Sequence, residues 1–171
     1  MKTILKIIVG IIILIVLILG FLIIYASLDD YKPGSEELVF KSESPDTYPG
    51  WPEIDVLIWN IGYCGLSDDM DFFYDGGKQV RTSRENVLRN LEKVIDLLKM
   101  NDSLEFILLQ EVDRNSKRSY HINEYDSINN SLSDYWSFFG KNYDVFFVPL
   151  PPNEPMGKVE SGLQTLSKSV P

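Results

Sequence analysis

The sequence predicts an α/β domain preceded by one transmembrane helix, and three observations predict it. Residues 7–24 carry no charge and are almost entirely Ile, Leu, Val and Gly. Two short apolar runs, Val56-Leu57-Ile58-Trp59 and Phe106-Ile107-Leu108-Leu109, each end in polar residues, as buried strands do when they deliver a side chain to a sheet edge. Between them, residues 82–100 repeat apolar side chains at helical spacing. Strands alternating with helices make an α/β layer.

Residues 1–27 form the membrane segment. Ile4 and Leu5 extend the apolar run to the roughly 20 residues that cross a bilayer. Lys2 and Lys6 precede it, and Asp29 and Asp30 follow it. The positive flank stays cytoplasmic, so the expectation is a single-pass chain with its N-terminus cytoplasmic and its domain extracytoplasmic. The rival is a cleaved signal peptide, which favours an apolar core of about 7–15 residues and a small-x-small cleavage site. Here the run is longer and Ala26-Ser27 is a poor site, so an uncleaved anchor is expected. Residues 28–52 then read as a linker: six prolines and glycines accompany acids and serines, a composition that cannot bury enough apolar surface to offset its ordering entropy. Leu38-Val39-Phe40 is too short to be a core element. The domain occupies residues 53–171.

Residues 53–60 predict the first strand, rich in Val and Ile, with Asn60 at its end. Residues 62–79 predict a loop in which Phe72, Phe73 and Tyr74 pin it to the domain or face a substrate. Its acids do not make a calcium loop, because an EF-hand register from Asp71 places Phe73 and Thr82 where ligands are needed. The helix of residues 82–100 opens with a capping-box pattern, Thr82 and Glu85. Val87, Leu91, Val94 and Leu98 form its inward stripe, with Leu88 and Ile95 beside it. Arg81 and Arg84 read as ordinary surface charges. Residues 104–111 predict a second strand, and its four consecutive apolar residues argue that both faces are covered. A helix over residues 123–140, with Ile128, Leu132, Tyr135 and Phe139 inward, is expected next. Strands over 143–148 and 160–167 follow, separated by a proline-rich loop, with Gly162 allowing close backbone approach.

The chemistry is read at the strand ends. Asn60 and Glu111 at adjacent ends suit a hard, oxygen-loving cation such as Mg²⁺. Gln110 is expected to orient its neighbours by hydrogen bonds, and Asp113 to support the site or cap the turn. Arg114 and Arg118 lie just beyond, where a guanidinium matches phosphate oxygens; the competing reading is a solvated basic turn. Cys64, the single cysteine, reads as a small filler, since a reactive thiol needs a neighbouring base. His121, the single histidine, reads as structural. The net charge of −9 disfavours a tight, nonspecific grip on a phosphate backbone, and leaves open a nuclease whose metal supplies the local positive charge.

Three blocks carry a resemblance: Ile58-Trp59-Asn60-Ile61-Gly62-Tyr63, Leu109-Gln110-Glu111-Val112-Asp113, and Ser161-Gly162-Leu163-Gln164-Thr165-Leu166-Ser167-Lys168. In order and approximate spacing they resemble the first three motifs of the endonuclease/exonuclease/phosphatase superfamily. The resemblance covers residues 54–168, about the first half of such a domain; the family's later Gly-Asp-x-Asn and Ser-Asp-His blocks are absent from the sequence. It implies half of a four-layer α/β/β/α sandwich and a Mg²⁺- or Mn²⁺-dependent hydrolysis of a phosphoester. In that scheme Glu111 holds the metal, Asn60 helps position the phosphate or the metal site, and an Asp–His pair outside these motifs activates water. The substrate is open among nucleic acid, phospholipid and sugar phosphate. Half a sandwich leaves one sheet face uncovered, so marginal stability or self-association through that face is expected. The alternative is a non-catalytic remnant or membrane-tethered binding module.

Overall fold

A computed structural model of the protein describes residues 2–29, 31–36, 38 and 53–169. Two units are distinguished, residues 1–30 and 31–171. The first is a single helix, α1 (Lys2–Leu28), with no buried residue. It is long and apolar enough to cross a membrane: 27 residues span about 40 Å at 1.5 Å per residue, more than a hydrocarbon core of about 30 Å. By length and composition the same helix also fits a signal sequence.

The second unit is mixed α/β. Its elements run β1 (Val56–Asn60), α2 (Arg84–Met100), β2 (Phe106–Asp113), α3 (Glu124–Ser131), β3 (Trp136–Val148) and β4 (Gly157–Ser167). They build a four-stranded sheet in the order β1-β2-β4-β3. β1 and β2 are parallel, joined through α2, while β4 runs antiparallel to both β2 and β3.

α2 forms where its pattern places it. The stripe Val87, Leu91, Val94 and Leu98 is buried, each side chain contributing about 1.5–3 kcal/mol; Leu88 remains 40 % exposed. The cap differs from the expected one. Ser83, not Thr82, is the N-cap, its hydroxyl accepting the Asn86 N–H at 3.1 Å. Thr82 Oγ1 instead accepts from the Asn86 side chain at 2.9 Å.

The helix expected over residues 123–140 stops at Ser131. The Leu132 N–H closes it by bonding back to Ile128 and Asn129, and Trp136 already pairs with Ser167 as the start of β3. Trp136, Phe138 and Phe139 favour an extended chain, and the open edge of β4 gives that preference a ladder to join. Ile128, Leu132 and Tyr135 are nevertheless buried, as expected. The segment read as a linker begins differently: the Tyr31 N–H donates to the Asp144 carbonyl at 3.2 Å. Residues 37 and 39–52, with Val39 and Phe40, lie outside the described residues.

The sheet has two unlike faces. Leu57, Ile107 and Leu166 align across one face, as do Trp59, Leu109, Gln164 and Phe139; the apolar members of both rows pack in the core with α2 and α3. The rows on the other face contain Val56 with Phe106 and Ile58 with Leu108. There Val56, Ile58, Trp136 and Leu163 are between 45 and 64 % exposed. The expectation that β2 is covered on both faces is therefore wrong among the described residues: Phe106 and Leu108 are only half-buried. Four apolar residues in a row mark a strand meant for two dry faces, but both packed helices contribute to the core on one.

Candidate functional site

The register of β1 and β2 sets Asn60 opposite Gln110, and this brings Asn60 to the next residue, Glu111. Asn60 Nδ2 donates to Glu111 Oε1 at 2.9 Å, and Asn60 Oδ1 accepts the Gly62 N–H at 2.9 Å. Both ends of the amide are thus engaged, and Asn60 positions the Glu111 carboxylate. The side chain of Gln110, expected to do the orienting, is exposed; only its carbonyl takes part, accepting the Ile61 N–H at 3.1 Å.

Glu111 does not sit at the strand's end. β2 continues through it to Asp113, with a bulge: Leu109 faces Gln164 and Val112 faces Gly162, so Gln110 and Glu111 together oppose Leu163. An extra residue in one strand reverses the side-chain alternation beyond it, which returns Val112 to the buried core. Glu111 absorbs the irregularity at φ +55°. A non-glycine residue held there costs on the order of 1–3 kcal/mol and clusters at functional sites.

Next to it lies a buried polar cluster that sequence reasoning largely missed. Asp113 is fully buried. Arg118 grips it with two hydrogen bonds, Nε to Oδ2 at 3.1 Å and Nη2 to Oδ1 at 2.9 Å, and Ser119 Oγ adds a third at 2.8 Å. The Arg118 guanidinium sits 3.9 Å from the centre of the Tyr63 ring. Arg118 is therefore no part of a solvated turn: its side chain is 13 % exposed, and Ser116 and Ser119 are buried beside it. Arg114 goes elsewhere, its guanidinium stacked 4.9 Å from Phe139 and 5.3 Å from Tyr125. Glu124, the first residue of α3, is also fully buried, and its Oε2 accepts the Asp113 N–H at 2.9 Å. Burial first, and the Asp113 carboxylate second, push the Glu124 carboxyl well above the ordinary range.

Tyr63 and Cys64 occupy a left-handed turn, at φ +42° and +51°. Gly65 follows because a Cβ there would come within 2.4 Å of the Tyr63 ring. The Tyr63 hydroxyl is buried without a hydrogen-bond partner, and burial raises its pKa, so it remains a donor. The Cys64 thiol is buried and likewise pushed up, by burial and then by Glu124. Glu124 is the nearby carboxyl that the sequence did not reveal, and it pushes the thiol up rather than activating it. His121 Nδ1 pairs with Asn115 Oδ1 at 2.7 Å.

Glu111, Arg118 and Tyr63 line one cleft of about 260 Å³. The loop of residues 66–79 supplies Phe72 and Tyr74 to its wall. Phe72 and Phe73 also pack against Val80, Met156 and Val159, so the loop is pinned to the domain and faces the cleft at once.

No family model, curated protein or solved structure matches this chain. Among the described residues no group of three or more His, Cys, Asp or Glu side chains is placed to hold a metal ion. The donor set at Glu111 is one half-exposed carboxylate, oriented by an amide. That set fits a hydrated Mg²⁺, which takes one or two carboxylates and keeps several waters, and does not fit an all-protein cage.

Proposed function

We propose that this chain carries a metal-dependent phosphoester hydrolase site of the endonuclease/exonuclease/phosphatase type on a membrane-tethered domain. The observation that supports it best is the Asn60–Glu111 hydrogen bond at 2.9 Å. Two motif residues 51 positions apart meet on neighbouring strands, one carboxylate held by one amide at the rim of a cleft. The third motif runs along β4, directly opposite the Glu111 bulge. The strain at Glu111 is a further support, since strained backbone clusters at functional sites.

In this reading Glu111 holds Mg²⁺ or Mn²⁺, and Asn60 keeps the carboxylate in place. When bound, the ion supplies positive charge to the phosphoryl oxygens. Asp113 and Arg118 act from behind: their ion pair stacks on Tyr63 and fixes the turn that follows β1. Arg118 offers its remaining N–H groups at the cleft, while Arg114 lies on aromatic rings away from it. The apolar second face of the sheet supports a four-layer sandwich, with that face covered by a second sheet or another copy of the chain. The flanking charges of α1 support a signal anchor with the domain outside the cytoplasm.

A membrane-tethered binding module without catalysis is the second reading, favoured by the absence of a multidentate metal cluster among the described residues. Titration of the full chain with Mn²⁺, followed by electron paramagnetic resonance, separates the two. Saturable binding that Glu111→Gln abolishes supports the hydrolase site; indifference to Mn²⁺ supports the binding module.

A further inference from the structure

The cleft beside Glu111 has a composition that selects among phosphoesters. Its wall is built from Phe72, Tyr74, Tyr143, Val148, Met156 and Val159. The lining residues with polar side chains are Glu111, Arg118 and three tyrosines. A volume of about 260 Å³ accepts one six-membered ring with its ester oxygen. Sugar and inositol phosphates carry hydroxyls around the whole ring, and each buried without a partner costs free energy. An unsubstituted ring or short alkyl group loses nothing against these walls and gains from leaving water.

A second observation is independent of the wall. Tyr63 is 1 % exposed, lines the cleft, and its hydroxyl has no partner. A buried donor left unpaired is unfavourable and rare enough to need a reason. Gly65 and the Arg118 guanidinium pack against the ring, while the hydroxyl is closed off in the unliganded fold, so a ligand oxygen reaches it by a small shift of the cleft wall. A ligand oxygen entering the cleft is the partner the protein itself does not provide.

Resting on the phosphoester reading of Glu111, we propose that the substrate is a phosphodiester whose alcohol side is an apolar ring or short alkyl group, seated in this cleft with its ester oxygen accepting from Tyr63 Oη. Polyhydroxylated phosphoesters are disfavoured by the same walls.

The test is calorimetric binding to the full chain in detergent micelles, with empty micelles subtracted, using diphenyl phosphate, dimethyl phosphate and glycerophosphoinositol. Diphenyl phosphate is expected to bind at least tenfold more tightly than the other two. Tyr74→Ala and Tyr63→Phe are each expected to weaken it about fivefold or more. Tyr63→Phe should leave the melting midpoint unchanged or higher, because it removes an unpaired buried hydroxyl. Equal binding of the three probes, or diphenyl phosphate binding indifferent to both substitutions, overturns the proposal. Repeating the titrations with Mn²⁺ and Glu111→Gln distinguishes the two levels. A ring preference without any Mn²⁺ effect sinks the hydrolase reading and leaves the cleft; a Mn²⁺ effect lost in Glu111→Gln without a ring preference sinks the cleft alone.

Discussion

Glu124 Oε2 accepts the backbone N–H of Asp113 at 2.9 Å, and both residues carry carboxyls that are fully buried. Only one of the two has a cation: Arg118 closes on Asp113 with two hydrogen bonds. Taking the uncompensated Glu124 carboxyl out of water makes stability depend on pH. Its folded pKa is raised, by burial first and then by Asp113. The full stabilising effect is present below the unfolded value of about 4.3 and is lost as pH rises towards the folded value. Glu124→Gln, which keeps the acceptor and cannot ionise, is expected to gain on the wild type as pH rises from 5 to 8. The gain is at most about 1.4 kcal/mol per pH unit. Thermal melts of both chains across that range check it; a difference that stays flat rules out a raised Glu124 pKa.

The Asp113–Arg118 pair predicts an asymmetry between substitutions. Arg118→Ala leaves a fully buried carboxylate unpaired and is expected to cost about 3–5 kcal/mol. Arg118→Lys retains a charge but loses the two-pronged contact and the stacking on Tyr63, so it should fall between wild type and Arg118→Ala. Urea unfolding of the full chain in micelles gives both values. An Arg118→Ala chain as stable as the wild type removes the pair from any structural role.

Gln110 is the residue expected to orient its neighbours, and Asn60 the one expected to help position the phosphate or the metal site; the geometry gives the contact with Glu111 to Asn60. Asn60→Ala is expected to weaken Mn²⁺ binding roughly 10- to 100-fold, the usual effect of removing a group that holds a ligand in place. Gln110→Ala, whose side chain is exposed, should leave it within about twofold, the scatter of a neutral surface change. Titration by paramagnetic resonance compares them directly, and equal effects contradict the assigned roles.

What the sequence made legible follows physical range. The α2 stripe and the parallel β1–β2 pairing rest on local periodicity and on the run of residues around each strand end, and both are found. The meeting of Asn60 and Glu111 was legible for the same reason. The bulge at Glu111 was not, because it depends on the register against β4, some fifty residues later. Trp136 was assigned to a helix because Leu132, Tyr135 and Phe139 keep helical spacing, while the β4 edge that claims it lies beyond any local window. Arg118 reads from sequence as a phosphate contact or a solvated turn, and Glu124 carries no local signal; only partners brought by the fold make either tolerable inside.

The N-terminal helix predicts behaviour in cells. The full chain is expected in the membrane fraction, resistant to alkaline carbonate extraction, because α1 exceeds the bilayer's hydrocarbon thickness. A C-terminal tag should be digested by protease added outside intact cells, or outside spheroplasts where a wall is present. Recovery in the soluble fraction of a chain lacking residues 1–27 points to a cleaved signal sequence instead, and a protected tag reverses the topology.

Gly162 and Gly140 provide a paired test of the sheet. At Gly162 a Cβ would lie 2.5 Å from the Gly140 carbonyl oxygen and 2.6 Å from the Phe139 ring. The first is backbone in the neighbouring strand, so it moves only if the β3–β4 ladder moves. The second carries the stacked Arg114, so displacing it disturbs a second contact. At Gly140 itself a Cβ meets nothing within 4 Å, and neither position needs a left-handed backbone. Gly162→Ala is therefore expected to destabilise by about 1–3 kcal/mol through overpacking. Gly140→Ala should be neutral or slightly stabilising through the unfolded chain. Because the two glycines face the same ladder, a general intolerance of the strands to alanine would lower both midpoints equally. Only a loss confined to Gly162→Ala shows that close approach, rather than strand propensity, holds glycine there.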